Sequence, residues 1–245
     1  MDTIVEQTSV MDQHQKTADS GGISPKFRWS YLVYVLLLIP LIGILAFAVF
    51  QPIQVLPRMS LSPGFAFTDQ DGNRLTNEDL RGKYVFYNFM YTGCEAPCPN
   101  TTPGMRDIQQ RVAGLDAGEF PVEFVTVSFD PERDTPEQLQ AFAADLNADT
   151  SSWHFVSGDP VRLKNVIGGG FSSYYQANDD GSFAFDPMYV LVDGWGIIRA
   201  KYKMPYPDLD IIERDIGLLT TEVNNSEGAS RLAYEAAHLF LCYPD

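Results

Sequence analysis

The sequence predicts an α/β domain carried behind an N-terminal apolar helix. Three observations carry that expectation. Apolar runs of strand length, Val85–Tyr91 and Pro121–Phe129, alternate with segments that open like helices. Cys94 and Cys98 stand where the first run gives way to a helix start. An uncharged segment of 22 residues, Trp29–Phe50, precedes them all.

Residues 1–28 are polar, rich in Ser, Thr, Gln and Asp, and without apolar periodicity, so they read as a disordered cytoplasmic tail. Residues 29–50 would span about 33 Å as a helix, enough for a bilayer core. Trp29, Tyr31 and Tyr34 sit at one end as an aromatic belt would. A cleaved signal peptide is the rival reading, but the run is long for one and no small-residue cleavage site follows. Lys26 and Arg28 precede the segment and only Arg58 follows closely, which places the remainder on the periplasmic side of an inner membrane, single-pass.

Residues 51–63, with Pro52, Pro57 and Pro63, read as a linker, and 64–223 as the domain. Asp71-Gly72 marks a hairpin turn. The strand at Val85–Tyr91 is apolar almost throughout and should be covered on both faces. Thr101 or Thr102 is placed to cap a helix to about Val112, with Pro103 in its first turn. Thr135 and Pro136 open a helix after the second strand, and Trp153–Ser157 makes a third. Asp159-Pro160 begins a helix that should stop at Gly168–Gly170. Met188–Asp193, a Gly-Trp-Gly turn and Ile197–Tyr202 form a hairpin, and Pro207 or Asp208 starts a closing helix to Val223. Two thiols at the first strand-to-helix junction of this order match a thioredoxin-like fold. Residues 224–245 form a helical tail, on which His238 and Cys242 are four apart; a packed helix with a lone thiol outweighs a metal pair there.

Composition bounds the function. The chain has 245 residues, 45% of them apolar, and a net charge of -15. Nucleic acid is excluded as a partner, because phosphate binding needs clustered cations. Three cysteines are too few for a disulfide framework. A thiolate at a helix N-terminus is stabilised by the free amides and the dipole, and it attacks disulfides or binds soft metal. Cys94 and Cys98 are therefore the candidate catalytic and metal-binding residues, with a plain structural disulfide as the bland alternative. Among soft metals Cu(I) fits better than zinc, since no second Cys or His pair has zinc spacing.

The blocks FAFTDQDGNRLTNEDLRGK, YTGCEAPCP, VTVSFDPERDTPEQLQAF, WHFVSGDP and YVLVDGWGII stand in order between Ser62 and Val223. Over that stretch the chain resembles the Sco/SenC family, thioredoxin-fold copper chaperones for cytochrome c oxidase assembly. The resemblance implies that Cys94 and Cys98 are copper-binding and redox cysteines, and that Asp130 matches an aspartate near the site. It also implies the copper-bearing oxidase subunit, or another copper or thiol protein, as partner. One family feature is missing. A copper-ligand histidine should precede the Tyr189–Asp193 strand, and Phe185 or Asp186 stands there instead. The only histidines are His14, His154 and His238.

Three readings follow. Cu(I) is held by Cys94 and Cys98 alone, or with Met188 or Asp186, in an incomplete ligand set. Alternatively the pair acts as a thiol–disulfide oxidoreductase without metal. In the third the protein is an assembly scaffold with no turnover.

Overall fold

The computed structural model describes residues 29–50, 53–226 and 228–240. The tail at 1–28, with His14, and the C-terminal Cys242 lie outside them. The chain divides into two compact units, Met1–Phe47 and Ala48–Asp245.

The first unit holds all but the last three residues of α1 (Trp29–Phe50), a helix of 22 residues with Pro40 inside it. Its side chains are described over the middle part only, where they are apolar and exposed. Among the described residues no helix is long and apolar enough to cross a membrane. The span at 29–50 thus remains an expectation from composition.

The strands of the second unit are β1 (Ser60–Leu61), β2 (Ala66–Asp69), β3 (Arg74–Thr76), β4 (Tyr84–Met90), β5 (Val122–Ser128) and β6 (Trp153–Ser157). They continue with β7 (Tyr175–Ala177), β8 (Phe183–Phe185), β9 (Tyr189–Val192) and β10 (Ile197–Tyr202). Eight form one sheet in the order β1-β10-β9-β4-β5-β6-β2-β3; β7 and β8 pair with each other. The centre is parallel, β4 with β5 and β5 with β6, while β9 runs antiparallel to β4.

Every residue of β4 is buried, as a strand covered on both faces requires. The alternation of side chains splits it between two layers. Val85, Tyr87 and Phe89 join Leu163, Val166, Ile167 and Phe171 on one face. Tyr84, Phe86 and Met90 join the helices α2 (Thr102–Val112), α3 (Pro136–Asp145) and α5 (Leu209–Asn224) on the other. The last described helix is α6 (Gly228–Phe240), and α4 (Pro160–Leu163) precedes it in the chain as the fourth of six. The helix expected from Asp159 does reach the glycine run, but beyond α4 it continues as a π-helical stretch, Lys164–Gly170. Mixed strands flanked by helices in this order are the thioredoxin-like architecture expected from the sequence.

Two local expectations are corrected. Part of the expected linker at 51–63 is built into the domain: Val55 and Leu56 are buried and β1 pairs with β10. Arg199 holds it there, donating to the Leu56 carbonyl at 2.8 Å and the Pro57 carbonyl at 3.2 Å. Neither threonine hydroxyl caps α2. Thr101 Oγ1 is drawn into the core, where it accepts from Asn88 Nδ2 at 2.9 Å, and Asn100 Oδ1 accepts the Thr102 amide at 2.9 Å instead. Thr135 and Asp208 do cap α3 and α5.

Candidate functional site

β4 and β5 run parallel and end side by side, Met90 opposite Ser128. The backbone closes there, with the Phe129 amide donating to the Met90 carbonyl at 3.1 Å. The chain then leaves β4 through Tyr91–Asn100, a run of tight turns before α2. The Cys94 amide donates to the Tyr91 carbonyl at 3.2 Å and the Cys98 amide to the Glu95 carbonyl at 2.9 Å. These turns bring the two cysteine Cα atoms to 5.4 Å, and Cys94 and Cys98 form a disulfide. Cys94 is 8% exposed, Cys98 is half-buried, and Glu95, Ala96 and Pro97 between them are exposed. Cys98 is therefore the more open of the two sulfurs.

The wall behind the disulfide is aromatic. Tyr91 packs on Phe129 and Phe183 at 5.7 and 5.0 Å, and Phe129 stacks on Tyr175 at 4.7 Å. Met188, 1% exposed, belongs to the same apolar cluster as Cys94, and Cys98 packs against it. The β7–β8 hairpin that supplies Tyr175, Phe183 and Phe185 is fastened by Arg133. Its guanidinium lies 5.8 Å from the ring centres of both Tyr91 and Phe183, and it donates to the Gly181 carbonyl at 2.5 Å.

Asp130 is buried at this edge and ion-paired with Arg133. Burial pushes its carboxyl above the ordinary value, assisted by Asp134 and Glu132 and opposed by Arg133. Asp134 makes the closer tie to the cysteine loop. Its carboxylate accepts from the Thr92 amide at 3.0 Å, the Thr92 hydroxyl at 2.5 Å and the Ser128 hydroxyl. Sequence reasoning singled out Asp130 and missed Asp134, although both stand in the same Asp-Pro-Glu-Arg-Asp string. The available signal was the fixed spacing of that string after a central strand.

Among the described residues no histidine reaches the site. His154 lies on β6 opposite Val125, back from the ends of the strands, and Nε2 is 3.2 Å from Glu123. His238 on α6 faces Glu222 at 2.9 Å. Phe185 is buried in the aromatic wall and Asp186 is exposed. Among the described residues no three His, Cys, Asp or Glu side chains are grouped to hold a metal ion. The pair supplies two sulfur donors on reduction, and Met188 brings a thioether to the same apolar cluster. Such a set suits Cu(I) and suits a harder ion poorly.

This arrangement has known relatives. The chain is 37% identical over 94 residues to the SCO1 protein homolog of Bacillus subtilis, a match covering 38% of this chain and 47% of that relative. Its fold superposes on a SCO1/SenC family lipoprotein from Bacillus anthracis with a TM-score of 0.60 and 30% identity, covering 66% of this chain and 98% of the other. It superposes on BsSco, described as having a disulfide switch and as one of the Sco family of cytochrome c oxidase assembly proteins. There the TM-score is 0.59 and the identity 26%, covering 67% and 96% of the two chains. The copper-bound ScoI of Bradyrhizobium japonicum gives a TM-score of 0.53 at 25% identity, covering 65% and 99%. Residues 55–216, from the docked segment ahead of β1 into α5, match the profile of the SCO1/SenC family, and the chain belongs to that family.

Proposed function

We propose that this protein is a membrane-anchored, extracytoplasmic Cu(I) chaperone and thiol redox factor acting in assembly of the cytochrome c oxidase copper centre. Cys94 and Cys98 are its working residues. The observation that carries this reading is the joined cysteine pair, set at the ends of two central parallel strands with a buried thioether in the same apolar cluster.

The chemistry begins with reduction. A dithiol donor passes two electrons and two protons to the Cys94–Cys98 disulfide and itself becomes a disulfide. Cu(I), the cargo, then replaces the two thiol protons and is held between two thiolates. Met188 is the soft donor best suited to complete the set; Asp186, an exposed carboxylate, is harder and suits it less. Hand-over to a copper-bearing oxidase subunit needs an open side, which the half-buried Cys98 provides. The uncharged helix at 29–50 is the proposed anchor, with residues 1–28 in the cytoplasm. The Bacillus anthracis relative is a lipoprotein, a different chemical route to a membrane surface.

Purified domain, reduced and loaded with Cu(I), should keep about one equivalent against a competing chelator. Cys94→Ala or Cys98→Ala should abolish retention, Met188→Leu should weaken it, and His154→Ala should leave it unchanged. A second reading is favoured by the aromatic wall and by the lack of a site histidine among the described residues: thiol–disulfide exchange without metal. Failure to retain Cu(I), with rapid exchange against a dithiol, selects it. If Cys94→Ser leaves oxidase assembly intact, the protein is a scaffold.

A further inference from the structure

A cavity of about 330 Å3 opens between the β9–β10 turn, the segment entering the domain at Arg58 and the first half of α6. It stands apart from the cysteines. β9 runs antiparallel to β4, with Asn88 opposite Tyr189 and Val85 opposite Val192, so the β9–β10 turn lies beside the start of β4. Cys94 and Cys98 follow the other end of that strand.

One side of the cavity is apolar. Trp195 and Tyr234 supply aromatic surface, and Ile197 lies with them. Trp195 is 46% exposed yet firmly placed. Its ring meets Phe120 edge-on at 5.4 Å, its amide donates to Asp193 Oδ1 at 3.0 Å, and Arg81 donates to its carbonyl. An aromatic ring held rigid at an opening offers a flat ligand contact area at little cost in side-chain order.

The other side is charged, by Arg58, Arg231, Glu222 and Glu235. Glu222 is already satisfied: Arg199 reaches both its oxygens, and Arg58 and His238 bond it as well. Arg58 commits Nη2 to Glu222 at 2.8 Å, but its Nη1 stands 3.6 Å from Glu235, too far for a hydrogen bond. Arg231 is exposed and makes no hydrogen bond or ion pair among the described residues. With the buried Arg199 and Asp193 beneath, three guanidiniums meet three carboxylates here, a local balance near zero in a chain of net charge -15. Two guanidiniums with open N–H groups thus line the same space as Trp195 and Tyr234.

We propose that this cavity is a second binding site, for a small aryl carboxylate. The carboxylate takes N–H groups of Arg231 and Arg58, the pairing that guanidinium geometry favours, and the ring lies against Trp195 and Tyr234. The site uses neither the thiols nor copper, so it does not rest on the chaperone reading.

The probe is para-fluorobenzoate, followed by fluorine NMR with the full-length protein in phosphatidylcholine nanodiscs, with empty nanodiscs as the baseline. It should bind saturably with a Kd on the order of 1 mM, which a ligand of this size can reach. para-Fluorobenzamide has the same shape without the charge and should bind at least about fivefold more weakly. Inorganic phosphate has charge without a ring and should displace the probe only at roughly tenfold higher concentration than unlabelled benzoate. Arg231→Gln should weaken the probe about tenfold. Absence of saturable binding overturns the proposal, as does an amide or a phosphate that binds as well as the benzoate. An unchanged Kd in Arg231→Gln overturns it too. If Arg231→Gln does not fold, Trp195→Leu must weaken the probe about fivefold, and an unchanged Kd there overturns the site. Every reading is taken without copper, so a protein that fails to retain Cu(I) defeats the chaperone reading and leaves this result standing.

Discussion

Arg199 donates through Nη2 to Glu222 Oε2 at 2.6 Å, with side chains only 1% and 6% exposed. The same guanidinium reaches Asp193 at 3.0 Å and the carbonyls of Leu56 and Pro57. One buried cation thus joins β10, the β9–β10 turn, α5 and the segment entering the domain. Burial alone would raise the Glu222 carboxyl, but bonds from His238, Arg199 and Arg58 outweigh it and hold it down at about 2.

A folded pKa below the unfolded one contributes stability that is present above the unfolded value. It is lost as pH falls toward the folded one. For Glu222 that window runs from an ordinary value of 4.5 down to about 2, and the contribution is roughly 3 kcal/mol. Glu222→Gln should therefore lower stability at neutral pH by roughly that amount. Its deficit should shrink steadily through the window. Urea midpoints across acid pH check this, and parallel curves for the two proteins would contradict it.

Thr126→Val probes the polar chain that crosses the sheet under the site. Trp153 Nε1 donates to Thr126 Oγ1 at 2.8 Å, Thr126 Oγ1 donates to Asn88 Oδ1 at 2.6 Å, and Asn88 Nδ2 donates to Thr101 Oγ1 at 2.9 Å. All four residues are buried. Valine matches the shape of threonine but strands one donor and one acceptor, so the cost should be about 2 kcal/mol or more. Thermal melts should show it, while the thiol titration of Cys94 and Cys98 should be unmoved.

What the sequence discloses about this molecule follows the reach of its physics. Strands β4, β5 and β6 are legible because they are short apolar runs bounded by turn residues, and α3 and α5 because Thr135 and Asp208 act within their own first turns. Cys94 and Cys98 are legible because their spacing is local. Asp134 escapes notice because it meets Thr92 across 42 positions, and nothing near Thr92 in the chain announces it. The docking of this segment, Val55 and Leu56 included, escapes for the same reason: prolines nearby suggest a spacer, and the arginine that bonds the Leu56 and Pro57 carbonyls is more than 140 positions away. Thr101 has the composition of a cap but is claimed by Asn88 in the core.

Arg133→Ala should loosen the β7–β8 hairpin with little effect on global stability. The arginine side chain is half exposed, so its pair with Asp130 contributes about 1 kcal/mol at most. Its larger role is local, through the Gly181 carbonyl and the rings of Tyr91 and Phe183. Hydrogen exchange should rise at residues 175–185 and reduction of the disulfide by a small dithiol should quicken. An unchanged exchange pattern would show that the aromatic contacts hold the hairpin alone.

Two glycine-to-alanine changes should move stability in opposite directions. Both positions are helical, Gly104 in α2 and Gly217 in α5, so intrinsic propensity favours alanine by up to about 1 kcal/mol at each. A Cβ on Gly217 meets nothing within 4 Å, and Gly217→Ala should be stabilising by roughly that amount. A Cβ on Gly104 would run into the Tyr189 hydroxyl and come within 2.7 Å of Pro207 Cδ. Tyr189 cannot retreat: it is fully buried on β9, and its hydroxyl lies 2.8 Å from the Thr101 carbonyl and 2.7 Å from the Pro205 carbonyl. Overpacking of this kind costs about 1–3 kcal/mol, which exceeds the propensity gain. Gly104→Ala should therefore lower the melting temperature. It should also disturb the thiols, because Thr101, three residues after Cys98, is what the Tyr189 hydroxyl holds in place; a shifted alkylation rate alongside the lower melting temperature is the outcome to look for.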